Sequence, residues 1–133
     1  MRISNLLILA VMLLTAVAPL SSAEDKIVLS GEYEWNNGGS DELTAEFTPT
    51  GAGKWDVEFR FRFSGKGNTW NGTALGDLSD GGELTGTATW KKSGRHWVFS
   101  GVMQDGELRG SHAEVRGEQE SASGTFRLEA SSD

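Results

Sequence analysis

The sequence predicts an all-β protein, an antiparallel up-and-down meander of about eight strands closing into a small barrel. Three observations carry that expectation. Apolar and polar residues alternate over successive short segments, the segments recur at intervals of roughly a dozen residues, and each is set off by Gly, Asn, Asp or Ser with no helical stretch between. Short connections force neighbouring strands to run antiparallel, and a meander of this length hides its first and last edges best by closing on itself. A two-layer β-sandwich is the alternative.

The first residues read as an export signal. Arg2 supplies a positive start, Leu6 to Leu14 is an unbroken apolar run, Pro19 ends it, and Ser21-Ser22-Ala23 offers the small residues a signal peptidase needs. Cleavage is expected after Ala23, giving a signal peptide at 1–23 and a single all-β domain at 24–133. The apolar run is too short for a good membrane span, so the expectation is a secreted or periplasmic protein without stable membrane insertion. The chain has no cysteine. That excludes a lipid-modified anchor, disulfides, thiolate metal sites and a cysteine nucleophile, and leaves burial to hold the domain together.

The strands follow in order. Over Ile27 to Trp35, the residues Ile27, Leu29, Gly31, Tyr33 and Trp35 share one face while Glu32 and Glu34 take the other. Asn36 to Asp41 is a turn cluster, since Asn and Gly tolerate positive φ. Glu42 to Thr48 carries Leu43, Ala45 and Phe47 in phase. After Thr50-Gly51-Ala52-Gly53 comes the strictest alternation: Trp55, Val57, Phe59, Phe61 and Phe63 against Lys54, Asp56, Glu58, Arg60 and Arg62. A helix would scatter those five apolar side chains, whereas a strand gathers them on one face. Gly65 to Asn68 turns the chain into Thr69 to Leu75, with Trp70, Gly72 and Ala74 in phase. Leu84, Gly86, Ala88 and Trp90 follow the Ser79 to Gly82 turn, and Trp97, Phe99 and Gly101 follow Lys91 to Gly94. After Gln104-Asp105-Gly106, Leu108 and Gly110 hold one phase but Ala113 and Val115 the other, which predicts a bulge near Ser111 or His112. Gly124, Phe126 and Leu128 make the last strand.

A phrase occurs twice, Asp80-Gly81-Gly82-Glu83-Leu84-Thr85-Gly86 and Asp105-Gly106-Glu107-Leu108-Arg109-Gly110. It reads as structural punctuation: Asp-Gly makes the turn, Leu enters the core, and the last Gly leaves room for an indole. Six glycines (31, 72, 86, 101, 110, 124) fall on the apolar side of strands, in the phase of Trp35, Trp55, Trp70, Trp90 and Trp97. Glycine lets a coiled strand bend around a small barrel and accommodates a large neighbour. The indoles therefore point inward, where they either fill the barrel or line a ligand pocket at its mouth.

With 12 basic and 19 acidic residues the formal charge is −7, and this repels nucleic acid and anionic lipid. Neither a catalytic nor a metal constellation emerges. Ser111-His112-Ala113-Glu114 offers hydroxyl, imidazole and carboxylate, but adjacent strand residues point to opposite faces, and His112 reads as solvated or bulge-stabilising. Asp77, Asp80, Glu83 and Asp105 match no calcium-loop spacing and read as turn acids. Gly65-Lys66-Gly67-Asn68 lacks the helix of a phosphate loop. Lys91-Lys92 with Arg95-His96 reads as a solvated hairpin tip. No cofactor is expected.

The stretch Gly31 to Ser40 resembles the start of the avidin and streptavidin family of biotin binders, among the lipocalin-like barrels. Those proteins open with a Gly and Trp strand followed by a loop whose Asn and Ser meet the ureido oxygen of biotin; here Trp35, Asn36 or Asn37, and Ser40 stand in similar order. The resemblance implies a closed barrel and a site at this loop. The family's tyrosine and late aspartate have no assigned counterparts, since the lone Tyr33 precedes the loop. The expectation is an exported, non-enzymatic barrel that binds a small apolar or aromatic ligand through Asn36, Asn37, Ser40, Trp70, Trp90 and Trp97. The alternative is a filled barrel acting through its outer surface, as an inhibitor or a partner of a cell-envelope protein.

Overall fold

The computed structural model describes residues 25–63, 65–90 and 94–130. The expected signal segment, the Lys91 to Ser93 part of a turn and the Phe63 side chain fall outside the described residues. Eight strands follow one another: β1 (Ile27–Trp35), β2 (Ser40–Gly51), β3 (Lys54–Phe63), β4 (Lys66–Gly76), β5 (Glu83–Trp90), β6 (Arg95–Gln104), β7 (Glu107–Arg116) and β8 (Gln119–Ala130). Each pairs antiparallel with the next, and β1 pairs with β8 from Leu29↔Ala130 to Trp35↔Gly124. The meander is a closed barrel, not a sandwich, and no edge is left to attract another chain.

The period-2 pattern becomes the two faces of the wall. Leu29, Tyr33, Leu43, Ala45, Phe47, Val57, Leu84, Leu108, Phe126 and Leu128 are buried inside. Each large side chain among them contributes about 1.5–3 kcal/mol by leaving water, and without disulfides this burial is what holds the fold.

The inward glycines serve close approach. A Cβ on Gly86 would stand 2.5 Å from the Phe99 ring and collide with the Thr73 carbonyl; one on Gly110 would stand 2.5 Å from the Phe126 ring and collide with the Ser100 carbonyl. The rings that use this room are thus phenyls, where the sequence suggested indoles. The carbonyl collisions come from tight coiling of neighbouring strands.

The expected bulge exists, but on the other strand. Pairs His112↔Gly124 and Ala113↔Ala122 leave Ser123 of β8 as the extra residue. Strand β7 keeps its phase against β6, with Phe99↔His112 and Trp97↔Glu114. Ala113 and Val115 lie on the outer wall, and His112 faces in.

One end of the barrel is shut. The β4–β5 loop folds over it and buries Leu78, held by Gly81 N–H to the Met103 carbonyl (2.7 Å) and Met103 N–H to the Gly82 carbonyl (2.8 Å). Asp80 Oδ1 accepts the backbone N–H of Asp105 at 2.8 Å. The two Asp-Gly phrases therefore meet here, one turn capping the other. Asp105 (φ 54°) and Gly106 (φ 79°) both adopt the left-handed conformation that a tight hairpin turn needs. Trp55 lies at this end too, edge-on to Phe47 with centroids 6.2 Å apart and donating from Nε1 to the Gly76 carbonyl at 3.1 Å.

The outer wall is divided. Around β1–β3 and β8 it carries exposed ion pairs such as Lys26–Glu46 (3.2 Å) and Arg127–Glu32 (3.5 Å), which contribute little to stability. Around β4–β6 the outward residues from Thr69 to Leu75, Thr85 to Thr89 and His96 to Val102 include no acid, lysine or arginine. Leu75 and Val102 stand exposed there.

Candidate aromatic cavity

Among the described residues the opposite end is open. Alternation brings the inward residues of β1, β4, β5 and β6 nearest this end to a common height, and four of them are tryptophans. Trp70 and Trp97 are buried, with Trp35 and Trp90 partly buried beside them. Their rings support one another: Trp70 and Trp90 lie parallel with centroids 6.1 Å apart, and Trp35 tilts against Trp97 at 6.4 Å. Such pairs add about 0.5–1.5 kcal/mol each beyond burial and hold the rings in place. Below them Phe59 packs edge-on to Phe99 at 5.1 Å.

These rings do not fill the barrel. They surround a cavity of about 420 Å³, with Phe61, Leu43, Phe126, Tyr33 and Ala88 in its wall, Asn37, Asn68 and Arg95 at its rim, and His112 in its side. That volume lies in the range of small-molecule sites, roughly 300–1,000 Å³.

The polar groups around the cavity are ordered by their neighbours. Tyr33 Oη donates to the Arg62 carbonyl at 2.6 Å, and burial raises its pKa above the usual tyrosine value. Arg95 lies over the Trp97 ring, its guanidinium carbon 4.6 Å from the centroid. Glu114 fixes it there through a forked pair, Nε to Oε2 at 3.1 Å and an Nη to Oε1 at 3.2 Å. These bonds hold the Glu114 carboxyl below its usual pKa.

His112 is set by the bulge. The extra residue Ser123 turns its hydroxyl toward the β7 backbone, 3.1 Å from the His112 carbonyl. The same oxygen accepts from Trp97 Nε1 at 3.1 Å and lies 2.6 Å from His112 Nδ1. A hydroxyl has one proton to give. That proton serves either the His112 carbonyl or Nδ1, and the tautomer of the ring follows from which of the two takes it. Burial lowers the His112 pKa, with a smaller opposing pull from the Thr125 backbone. His112 Nε2 and Trp70 Nε1 are the two buried side-chain atoms without a hydrogen-bond partner among the described residues. Both residues line the cavity.

Of the residues singled out in the sequence, Trp70, Trp90 and Trp97 come together in the cavity wall and Asn37 stands at its rim. Asn36 and Ser40 do not line it. Asn36 instead ties the β1–β2 loop to the bulged strand, donating from Nδ2 to the Ala122 carbonyl at 3.0 Å, and Ser40 is exposed at the start of β2. Trp55 belongs to the shut end. Sequence reasoning missed Trp35, Phe59, Phe61, Asn68, Arg95 and His112 as site residues. The first three were in plain inward phase; the Trp35 position beside an Asn-Gly turn already marked it as a rim residue.

Ser111, His112 and Glu114 do not assemble into a triad: Ser111 faces outward and Glu114 is committed to Arg95 and Arg116. The Ser123 hydroxyl, beside His112, is shared among the His112 carbonyl, His112 Nδ1 and Trp97 Nε1, so its part is to hold the imidazole. Among the described residues no cluster of three or more His, Cys, Asp or Glu is arranged to hold a metal ion.

Fold and site define a closed, eight-stranded up-and-down barrel with one plugged end and an aromatic cavity at the other. No protein-family model, curated protein or solved structure matches the chain.

Proposed function

We propose that this protein is an exported, non-enzymatic binding barrel that takes a small apolar or aromatic ligand into its open mouth. The observation that carries this reading is the 420 Å³ cavity, walled by aromatic rings and open at one end while the other is plugged. A barrel built only for stability would place side chains in that space, because each void costs packing energy. The likeness to biotin binders rested on Trp35, Asn36 or Asn37, and Ser40; Trp35 and Asn37 line the cavity while Asn36 and Ser40 do not, so the ligand is read from the whole set of lining residues.

Trp70, Trp90 and Trp97 report occupancy directly. Titrating the protein with small aromatic metabolites should give a saturable change in tryptophan emission at one ligand per chain. Ala88→Phe, which projects a ring into the cavity from a wall position, should abolish that change in a protein that still folds. A library without one saturating compound, or an Ala88→Phe protein that binds as well as wild type, would overturn the reading. The export half is tested by the mass of the protein recovered outside the cytoplasm, which should begin at Glu24.

A second reading, contact through the outer wall, has its own observation. The face of β4–β6 bears exposed Leu75 and Val102, and a groove of about 460 Å³ runs from Thr73, Thr85, Val98 and Ser100 on this face to Glu120 of β8. Ser100→Glu separates the two readings: it should abolish a contact made through this wall and leave the emission change intact.

A further inference from the structure

We infer that the ligand is an aromatic acid, with a flat apolar body held among the rings of the cavity and a carboxylate at the mouth paired to Arg95. The inference rests on the binding reading above and names the ligand class for the same site.

The wall selects the body. Leu43 and Ala88 are the aliphatic members of a lining otherwise rich in rings, among them Trp35, Phe59, Phe61 and Trp97. Ring faces and edges give a flat aromatic molecule contacts that a saturated chain cannot return, and a rigid ligand has less freedom to lose on binding.

The mouth selects the head group. Among the described residues that line the cavity, Arg95 is the one Asp, Glu, Lys or Arg, with the uncharged Asn37 and Asn68 also at the rim. Its guanidinium is held in place by the protein itself: the carbon lies 4.6 Å from the Trp97 centroid, and the fork to Glu114 fixes its plane. A ligand therefore need not order a long side chain in order to pair with it. Glu114 also accepts from Arg116 Nε at 3.3 Å, so two guanidiniums share one carboxylate. An acid that draws Arg95 toward itself leaves Glu114 paired with Arg116, and no charge is stranded. The Arg95 side chain is 45% exposed. A carboxylate beside it keeps contact with water and avoids the desolvation that a charge deeper in the cavity would suffer.

The far side of the mouth points the acid the same way. Asp41 pairs in register with the inward Tyr33, on β2, which lies across the ring from β6. Its charge repels a carboxylate, whereas Arg95 attracts one.

The test compares 2-naphthoate with 2-naphthamide by calorimetry at pH 7.5, with naphthalene as the bare body. The first two share size and shape and differ in charge, so the ratio of their affinities within each protein isolates the carboxylate. Wild-type protein should favour the naphthoate about fivefold, the factor expected for a charge-assisted pair at a half-exposed arginine. Arg95→Gln should bring the ratio to one or below. Arg116→Gln should lower it from outside the cavity, because Glu114 then leans on Arg95 alone. Glu114→Gln should raise it by removing the competing carboxylate, and a rise is an effect that damaged folding cannot produce. A wild-type ratio of one, a preference that survives Arg95→Gln, or a ratio that Glu114→Gln fails to raise would overturn the inference and leave the binding reading standing. If none of the three naphthalenes binds the folded protein, the reading itself falls, and this inference with it.

Discussion

His112 is the residue where fold and site meet. Its imidazole is positioned by Gly124, directly opposite on β8: a Cβ there would stand 2.9 Å from His112 Cε1 and collide with the Glu34 carbonyl. Desolvation lowers its pKa from the ordinary 6.5, so the folded protein holds the ring neutral where the unfolded chain takes up a proton. The sign follows from linkage. Above about pH 6.5 both states are neutral and the group costs nothing. As the pH falls below that value the unfolded state binds a proton that the folded state resists, and stability drops until the pH has passed the folded pKa. Glu114, whose pKa is lowered from 4.5 by its arginines, loses its contribution only at more acid pH. Urea midpoints measured at pH 7.5, 6.5 and 5.5 should therefore fall for wild type and fall less for His112→Gln. Equal slopes for the two proteins would show that His112 is not the group responsible.

At the scale of elements, the β4–β5 loop makes the barrel a cup instead of a tube. Its Leu78 reaches under the barrel floor, and its backbone bonds to Met103 from both sides. Leu78→Ala removes the plug while leaving those backbone bonds, and it should cost about 2–3 kcal/mol, at the lower end for buried leucines because the site lies at the barrel end. The check is the urea midpoint together with ligand affinity, which should be unchanged since Leu78 is remote from the mouth. A loss of affinity matching the loss of stability would mean that the two ends are coupled. This loop also shows what the sequence could and could not reveal. Strand positions were legible, because period-2 alternation and Asn, Asp and Gly turns are local signals; Ile27 to Trp35 was delimited to the residue. Leu78 sits in a turn with no periodicity, so nothing local marked it as core. His112 was obscured for a related reason. Ala113 and Val115 are apolar and suggested a change of phase in β7, whereas they cover the outside and the extra residue is Ser123, one strand away. The tryptophan phases placed Trp70, Trp90 and Trp97 on the inner face, but which end was open depended on the loop.

For the whole molecule, closure through β1 and β8 makes the sheet one ring, in which each strand is hydrogen-bonded on both sides. No strand can leave without breaking two ladders, so plugged end and mouth should unfold as a single unit. The five tryptophans allow this to be seen, because Trp55 lies at the plug and the other four at the mouth. A Trp55→Phe protein reports only on the mouth, and far-ultraviolet dichroism reports on all eight strands. Their thermal transitions should coincide. Any ligand held in the cavity binds the folded ring alone and must stabilise all of it: at a hundred times the dissociation constant the gain is about 2.7 kcal/mol. For a domain of this size that raises the melting temperature by roughly 10–20 °C. Both probes should move together by that amount, since a cavity bounded by β1 through β8 cannot be protected without its floor. If the mouth signal shifts while the dichroism does not, the ligand is stabilising a local aromatic cluster and the ring is not the cooperative unit.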